Sequence, residues 1–166
     1  MRRCSFSFFL LSIFWLTAHA QSDSCFFVRS DTTRIGIDVD SLLRHAHQYL
    51  GIPYRYSGKS PKTGFDCAGF VCYNYKKFGL KLPYSSLQQI KVGEKIEKDS
   101  AKAGDLIFFK GRNHQSKVAG HVGIVVEVTD VHIRFIHSAV TGGVRYDNTN
   151  SDYYKKRFIG IRRLKT

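Results

Sequence analysis

The sequence predicts an α+β domain in which N-terminal helices pack on a mainly antiparallel sheet of five to six strands. Two observations support this prediction. Apolar residues recur at helical spacing in the first half of the chain, and short runs of β-branched and aromatic residues between turn signals fill the second half. Helices followed by strands are typical of domains whose helices cover one face of an antiparallel sheet. A chain of 166 residues is long enough for one domain with its own core.

The start of the chain has the features of a secretory signal. Arg2 and Arg3 precede an apolar run over residues 6–16, and Ala18-His19-Ala20 supplies the small residues of a cleavage site. The run is shorter than the roughly 20 residues of a membrane-spanning helix, and later segments are less apolar. We therefore expect residues 1–20 to be removed on export to the periplasm or the exterior.

Behind the signal, residues 21–36 form a leader without clear periodicity, and we expect one domain over residues 37–166. A lipid anchor on Cys25 is a weaker alternative, because Ser22-Asp23-Ser24 makes a poor small-residue box before it. We expect the mature protein to be a monomer without a transmembrane segment.

Local patterns place the elements within that domain. Helical spacing predicts helices over residues 38–50, 66–78 and 85–92, with a loop over residues 51–64 that is rich in turn-forming residues. Alternating β-branched and aromatic residues predict five strands, over residues 105–110, 122–128, 132–137, 143–146 and 157–164.

The segment around Cys67 is the first candidate for chemistry. Asp66 is a good helix cap, so Cys67 should occupy a first helical turn, where free N–H groups and the helix dipole favour the thiolate, the nucleophilic form of the group. Ala68 and Gly69 leave space beside the sulfur for a substrate. A buried structural cysteine is the usual alternative, and we assign that role to Cys72, which should not form a disulfide with Cys67.

Two histidines can serve such a nucleophile. His121, preceded by Gly120, opens one predicted strand, and His137 ends the next strand. If the two strands are antiparallel neighbours, both rings meet near one point that faces Cys67, with His121 as base and His137 as its orienting partner. The alternatives are structural histidines, or a zinc site made of the same three residues.

An oxyanion formed at the scissile carbonyl also needs donors. The backbone N–H of Cys67 is one, and a phenol O–H from Tyr54 or Tyr56 is a second candidate. The residues alone do not decide between the two tyrosines.

The chain resembles the NlpC-type family of papain-like peptidoglycan cysteine peptidases over about residues 38–164. The resemblance is specific because six motifs occur in order, which are Gly51-Ile52-Pro53-Tyr54-Arg55-Tyr56, Asp66-Cys67-Ala68-Gly69-Phe70, Leu82-Pro83-Tyr84-Ser85-Ser86, Ala103-Gly104-Asp105-Leu106-Ile107-Phe108-Phe109, Gly120-His121-Val122-Gly123-Ile124 and Phe135-Ile136-His137.

The resemblance implies a papain-like fold and the roles of four residues: Cys67 as nucleophile, His121 as base, His137 as third residue and Tyr54 as oxyanion donor. It implies cleavage of stem-peptide bonds, often between D-glutamate and a diamino acid, without a cofactor or metal. We assign substrate binding to six residues of these motifs, Asp66, Ala68, Gly69, Tyr56, Ser85 and Gly120.

The chain departs from the family pattern at two places. Ala68 stands where the family usually has Ser, which removes a hydroxyl from the substrate pocket. The second departure is in residues 53–58, which we call the tyrosine loop. Ser57-Gly58 stands there in place of the usual Gly-Gly, and the loop is about one residue longer than in the family, so the motif does not distinguish Tyr54 from Tyr56.

The charge of the chain bears on its partners. Lys and Arg number 26 against 13 Asp and Glu, which predicts an anionic partner. Export favours the cell envelope over nucleic acid, and the basic residues are scattered along the sequence without an aromatic-interleaved stripe. The remaining rivals are an amidase or acyltransferase on the same fold, including a wall-degrading toxin, and a catalytically inert wall-binding module.

Overall fold

The computed structural model describes residues 36–165. The expected signal over residues 1–20, and the expected leader up to residue 35 with its Cys25, lie outside the described residues. Within residues 36–165, no helix has both the length and the apolar content needed to cross a membrane.

Two longer helices form the N-terminal layer. The helix α1, Val39–His47, begins where the Asp38 side chain accepts a hydrogen bond from the Asp40 N–H, and it buries Leu42 and Ala46. The helix α2, Cys67–Lys77, is almost entirely buried over its first two turns. Two short helices follow at Ser86–Gln89 (α3) and Asp152–Lys155 (α4).

A six-stranded sheet forms the second layer, and a separate two-stranded ribbon lies before α2. The ribbon pairs Lys59–Ser60 (β1) with Gly64–Phe65 (β2), and the strands of the sheet in chain order are Glu94–Ile96 (β3), Leu106–Lys110 (β4), Ala119–Val128 (β5), Ile133–Ala139 (β6), Gly143–Asn148 (β7) and Phe158–Arg163 (β8). The spatial order is β3-β8-β4-β5-β6-β7, and every neighbouring pair is antiparallel. This confirms the predicted fold class.

The core occupies both faces of the sheet. On β4, Leu106 and Phe108 join the cluster under α1 and α2, while Ile107 and Phe109 join a smaller cluster on the opposite face. Tyr154, from α4, packs in that second cluster. Burial on both faces explains why β4 reads as a continuous apolar run instead of an alternating one.

The loop before the ribbon is fixed to the edge strand β7. The Gly51 N–H donates to the Val144 carbonyl at 2.8 Å, and the Val144 N–H donates to the Ile52 carbonyl at 2.9 Å. Gly143 has a φ of +67°, and a Cβ at that position would lie 2.2 Å from the Ile52 carbonyl oxygen, so the close approach requires glycine.

Candidate active site

Cys67 stands at the first position of α2, as predicted. Asp66 is the N-cap, and its Oδ1 accepts a hydrogen bond from the Gly69 N–H at 2.6 Å. The backbone N–H of Asp66 donates to the Gly58 carbonyl at 3.0 Å, which joins the tyrosine loop to the start of α2. The thiol side chain itself is largely enclosed, with Cys67 9% exposed.

The protonation state of Cys67 differs from the expectation drawn from its helix position. Burial raises the pKa of the Cys67 thiol to about 11, and the nearby Asp66 carboxylate acts in the same direction. Backbone N–H groups of Val122, Ala68 and Cys67 act against this rise. The sequence indicated the helix-start donors correctly, but it could not show that enclosure outweighs them, so the neutral thiol predominates at pH 7.

His121 and His137 meet as the sequence predicts for antiparallel neighbours. His121 lies near the start of β5 and His137 near the end of β6, and the two strands pair antiparallel. The distance from His121 Nε2 to His137 Nδ1 is 2.7 Å. Both strands pack against α2, and the N–H of Val122, the residue after His121, lies close to the Cys67 sulfur, so the thiol faces the strand that carries His121.

Both imidazoles favour their neutral form at pH 7. Burial lowers the pKa of His121 to about 3, with His137 acting in the same direction and Asp147 against it. Burial also lowers the pKa of His137, and the hydrogen bond and charge of Asp147 oppose that change. A neutral imidazole with a free ring nitrogen can accept a proton from a thiol.

Asp147 is a member of this cluster that the sequence analysis missed. Its Oδ2 lies 2.9 Å from His137 Nε2, and it accepts from the Tyr154 hydroxyl at 3.0 Å and from Arg145 Nε at 2.9 Å. Burial favours a higher pKa for Asp147, but the hydrogen bonds from His137, Arg145 and Tyr154 outweigh it and hold the pKa at about 2. The signal was an Arg-x-Asp pattern on the strand following His137, because alternate residues share one face.

The structure distinguishes the two candidate tyrosines by exposure. Tyr54 forms a parallel bridge with Phe65 and is half-buried. Burial raises the pKa of the Tyr54 phenol, and Cys67 and Asp66 act in the same direction. Tyr56 is 85% exposed.

Ala68 and Gly69, two of the residues assigned to substrate binding, are buried. A Cβ added at Gly69 would lie 2.0 Å from the Gly58 carbonyl oxygen, so glycine at this position allows the loop to pack directly on α2. Ala68 is buried, and its carbonyl accepts from Gln89 Nε2 at 3.2 Å.

Ser85 and Gly120, also assigned to substrate binding, are more accessible. Ser85 is the half-buried N-cap residue of α3. Gly120 is exposed, and it lies so close to Gly111 that an added Cβ would be 2.6 Å from the Gly111 nitrogen. The contact of all these residues with a substrate stays a prediction.

A cavity of about 370 Å³ opens beside the histidine pair. Its lining combines the base candidate with polar and aromatic groups, among them His121, Thr141, Arg145, Asp147, Tyr153 and Tyr154. Cys67 is not among the residues that line this cavity. Among residues 36–165, no group of three His, Cys, Asp or Glu side chains is arranged to hold a metal ion.

Comparison with known proteins identifies the family. Residues 51–163 match the model of the NlpC/P60 family. The chain belongs to the NlpC/P60 family. Its NlpC/P60 domain is 38% identical over 125 residues to a probable endopeptidase of Haemophilus influenzae, which covers 74% of this chain and 73% of that relative.

Other relatives are longer than this chain. The domain is 34% identical over 126 residues to the bifunctional muramidase/DL-endopeptidase CwlT of Bacillus subtilis, which covers 76% of this chain and 36% of the relative. The chain therefore spans about a third of that protein's length. A solved NLP/P60 family structure from Staphylococcus aureus superposes with a TM-score of 0.67 at 35% identity, over 76% of this chain and 41% of the other. These matches confirm the predicted papain-like α+β fold.

Proposed function

We propose that this NlpC/P60 domain hydrolyses amide bonds in the stem peptides of peptidoglycan. The observation that supports the proposal most directly is the placement of Cys67 at the capped start of α2, a helix that packs on the two strands carrying the hydrogen-bonded pair His121 and His137. Similarity to proteins named as endopeptidases supports the same reaction class. Nucleophile, base and orienting group are the three components that cysteine acyl transfer needs.

In the proposed mechanism, Cys67 attacks the scissile carbonyl. The Nε2 atom of His121 is engaged by His137, so Nδ1 is the nitrogen available to the thiol. Thiol and imidazole are both neutral at pH 7, and we therefore infer that the proton moves from sulfur to Nδ1 as the carbon–sulfur bond forms. The Cys67 N–H and the Tyr54 hydroxyl donate to the oxyanion.

The second half of the reaction regenerates the thiol. The imidazolium of His121 donates its proton to the leaving amine as the carbon–nitrogen bond breaks, which leaves a thioester on Cys67. Water then attacks the thioester carbonyl, His121 accepts a proton from that water, and the sulfur leaves as the thiol with this proton. A base in this position contributes about 10²–10⁴-fold to the rate.

For the bond that is cut, we propose the one between D-glutamate and the diamino acid. One relative is named a DL-endopeptidase, and this bond joins a D-residue to an L-configured centre. We further propose that the protein is exported, acts as a monomer in the cell envelope, and needs no metal for the reaction.

The test is digestion of purified muropeptides by the mature protein, with products identified by mass spectrometry. Cys67→Ala and His121→Ala should form no product, while His132→Ala, on a half-exposed histidine in the β5–β6 turn, should keep near-normal activity. Fragment masses identify the bond. An unchanged muropeptide pool, with Cys67 still reactive toward iodoacetamide, would contradict the substrate class and favour an amidase or acyltransferase.

A further inference from the structure

The carboxylate of Asp147 receives several hydrogen bonds on one oxygen atom. His137 Nε2, Arg145 Nε and Nη2, and the Tyr154 hydroxyl all lie within 3.0 Å of Asp147 Oδ2. An ionised carboxylate can only accept hydrogen bonds. Each of these partners must therefore donate, and the hydrogen of neutral His137 must reside on Nε2.

This constraint propagates to the base. With its hydrogen on Nε2, neutral His137 presents a lone pair at Nδ1, which lies 2.7 Å from His121 Nε2. His121 must then donate from Nε2, and its own lone pair resides on Nδ1. The opposite order would place a hydrogen on His121 Nδ1 and leave that atom unable to accept the thiol proton.

We propose that Asp147 is a positioning residue that fixes the proton order of both histidines and so presents a basic Nδ1 of His121 to Cys67. Its catalytic consequence rests on the proposed roles of Cys67 and His121, whereas the proton order itself does not. Arg145 and Tyr154 hold the carboxylate in place, since the arginine makes two contacts to the oxygen that His137 uses.

Two substitutions of Asp147 separate the effect of its hydrogen-bond acceptor from the effect of its negative charge. In Asp147→Asn, the donors of Arg145 and Tyr154 select the amide oxygen for the position of Oδ2, so His137 still donates from Nε2. In Asp147→Ala the acceptor is gone, and the nearby Tyr154 hydroxyl, 3.4 Å from His137 Nε2, can donate to that nitrogen instead. The alanine variant should therefore reverse the order, and the asparagine variant should keep it.

The measurement is ¹⁵N NMR of histidine-labelled protein at pH 7, alongside kcat and KM on muropeptides. We expect Nε2–H tautomers at His121 and His137 in the wild type and in Asp147→Asn, and Nδ1–H tautomers in Asp147→Ala. In the alanine variant, kcat should fall by about 10²–10⁴-fold with a nearly constant KM. The asparagine variant should recover part of that loss.

Unchanged tautomers in Asp147→Ala would overturn this inference, whatever the activity. Reversed tautomers together with undiminished digestion would leave the inference intact and contradict the proposed role of His121. The NMR result and the digestion result therefore test the two proposals separately.

A second inference concerns a groove at the other end of α2, which we call the basic aromatic groove. It encloses about 680 Å³, and its lining consists of three lysines, three tyrosines and one histidine. Every lining side chain is thus basic or aromatic. The basic residues, Lys59, Lys76 and Lys77, are exposed.

Aromatic rings form the floor of the groove. His45 stacks on Tyr73 at an interplanar angle of 13°, and Tyr49 meets Tyr73 edge-on with centroids 5.2 Å apart. At the rim, the Lys59 ammonium lies 4.3 Å from the centroid of the half-exposed Tyr84 ring. Such surfaces offer a flat apolar face next to cations.

The groove and the nucleophile lie on different sides of α2. Tyr73, Lys76 and Lys77 follow Cys67 on the same helix, roughly 9 to 15 Å along its axis at a rise of about 1.5 Å per residue. At 3.6 residues per turn, Lys76 lies about 180° around the helix from Cys67, so a polymer bound in the groove leaves the thiol free.

We propose that the basic aromatic groove binds an anionic polysaccharide of the cell envelope, whose carboxylate or phosphate groups pair with the lysines and whose sugar rings pack on the tyrosines. The choice of a sugar polymer over a nucleic acid rests on the proposed function, since both ligands carry the complementary charge. The occupied groove would hold the enzyme beside its substrate.

The test uses Cys67→Ala protein and three fluorescent probes, read by anisotropy: an oligogalacturonate, a neutral chitin oligomer, and a DNA oligonucleotide of matched charge. Replacing Lys76 and Lys77 by glutamine should weaken oligogalacturonate binding roughly tenfold. Replacing Lys155 and Lys156, an exposed pair at α4, removes the same charge and should change the affinity less than twofold.

Equal losses from both lysine pairs would overturn the assignment of the groove, because the binding would then depend on net charge alone. Tighter binding of the DNA oligonucleotide than of the oligogalacturonate would overturn the assignment of a sugar polymer. Neither result depends on digestion of muropeptides, so both are independent of the proposed catalytic activity.

Discussion

Replacing Gly69 by alanine tests whether the packing of the tyrosine loop on α2 supports activity. The added Cβ would lie 2.0 Å from the Gly58 carbonyl oxygen, whereas ordinary contacts begin at 3.4 Å, so the carbonyl must retreat by more than 1 Å. That carbonyl accepts the 3.0 Å hydrogen bond from the Asp66 N–H, which the displacement would break. The change therefore acts on the junction between the loop and the helix start of Cys67.

The magnitude follows from three contributions. Overpacking of a close contact costs about 1–3 kcal/mol, and loss of the hydrogen bond adds about 1 kcal/mol. Alanine regains about 1 kcal/mol over glycine within a helix. We expect a net loss of about 1–3 kcal/mol in the free energy of unfolding. Because Tyr54 is on the displaced loop, activity should fall further, by about 100-fold.

Urea denaturation and muropeptide digestion measure the two effects, with Gly160→Ala as the matched control. The space around a Cβ at Gly160 is open to at least 4 Å among the described residues, and Gly160 lies in strand β8, so alanine there should be neutral or slightly stabilising. If Gly69→Ala is as stable and active as Gly160→Ala, the reasoning about the loop contact is refuted.

Three further predictions follow from burial and charge. Because the pKa of Cys67 is about 11, its alkylation by iodoacetamide should accelerate about tenfold per pH unit between pH 7 and 10; a rate independent of pH in this range would contradict the raised pKa. Because burial lowers the pKa of His121 to about 3, the unfolded state binds one more proton than the folded state between pH 6.5 and 3. The free energy of unfolding should therefore decrease as the pH falls through that window, and it should decrease less steeply in His121→Gln. Arg163→Leu removes the guanidinium that contacts the Asp105 carboxylate at 2.8 Å, and Asp105 is only 2% exposed. The free energy of unfolding, measured by urea denaturation, should therefore fall by about 3–5 kcal/mol. Adding Asp105→Leu to the same chain should restore part of that loss.

Elements with strong local signals could be predicted from the sequence. The helix at Cys67 was located correctly because capping by Asp66 and helical periodicity are properties of neighbouring residues. The ribbon of β1 and β2, the strand β3 and the helix α4 were missed. β3 has three residues and only Ile96 is buried, and it exists as a strand because it pairs with β8, a partner about 70 residues away.

The part of the site that depends only on the order of the strands could be predicted from the sequence. Antiparallel neighbours suffice to bring His121 and His137 together. The contribution of Asp147 depends on the register, in which His137 pairs with Arg145, and on the fold of α4, which supplies Tyr154. Neither feature is visible in residue spacing.

The sequence also could not predict the burial of individual side chains or the clustering of basic residues in the folded protein. The enclosure of the Cys67 sulfur reverses the pKa shift that its helix position alone predicts. The basic residues look scattered in the sequence, yet the fold collects Lys59, Lys76 and Lys77 beside tyrosines in one groove. The spacing of the basic residues along the sequence does not show this clustering.

The edges of the sheet have a consequence for behaviour at high concentration. Exposed strand edges can recruit strands of other chains and start aggregation. On one side the edge strand β3 has only three residues, two of which, Glu94 and Lys95, are charged. On the other side Gly51 and Ile52 occupy the backbone groups of Val144 in β7. A larger residue in place of Gly143 would push this cover away and free the backbone groups of Val144, so we expect such a variant to precipitate at a lower concentration than the unaltered protein.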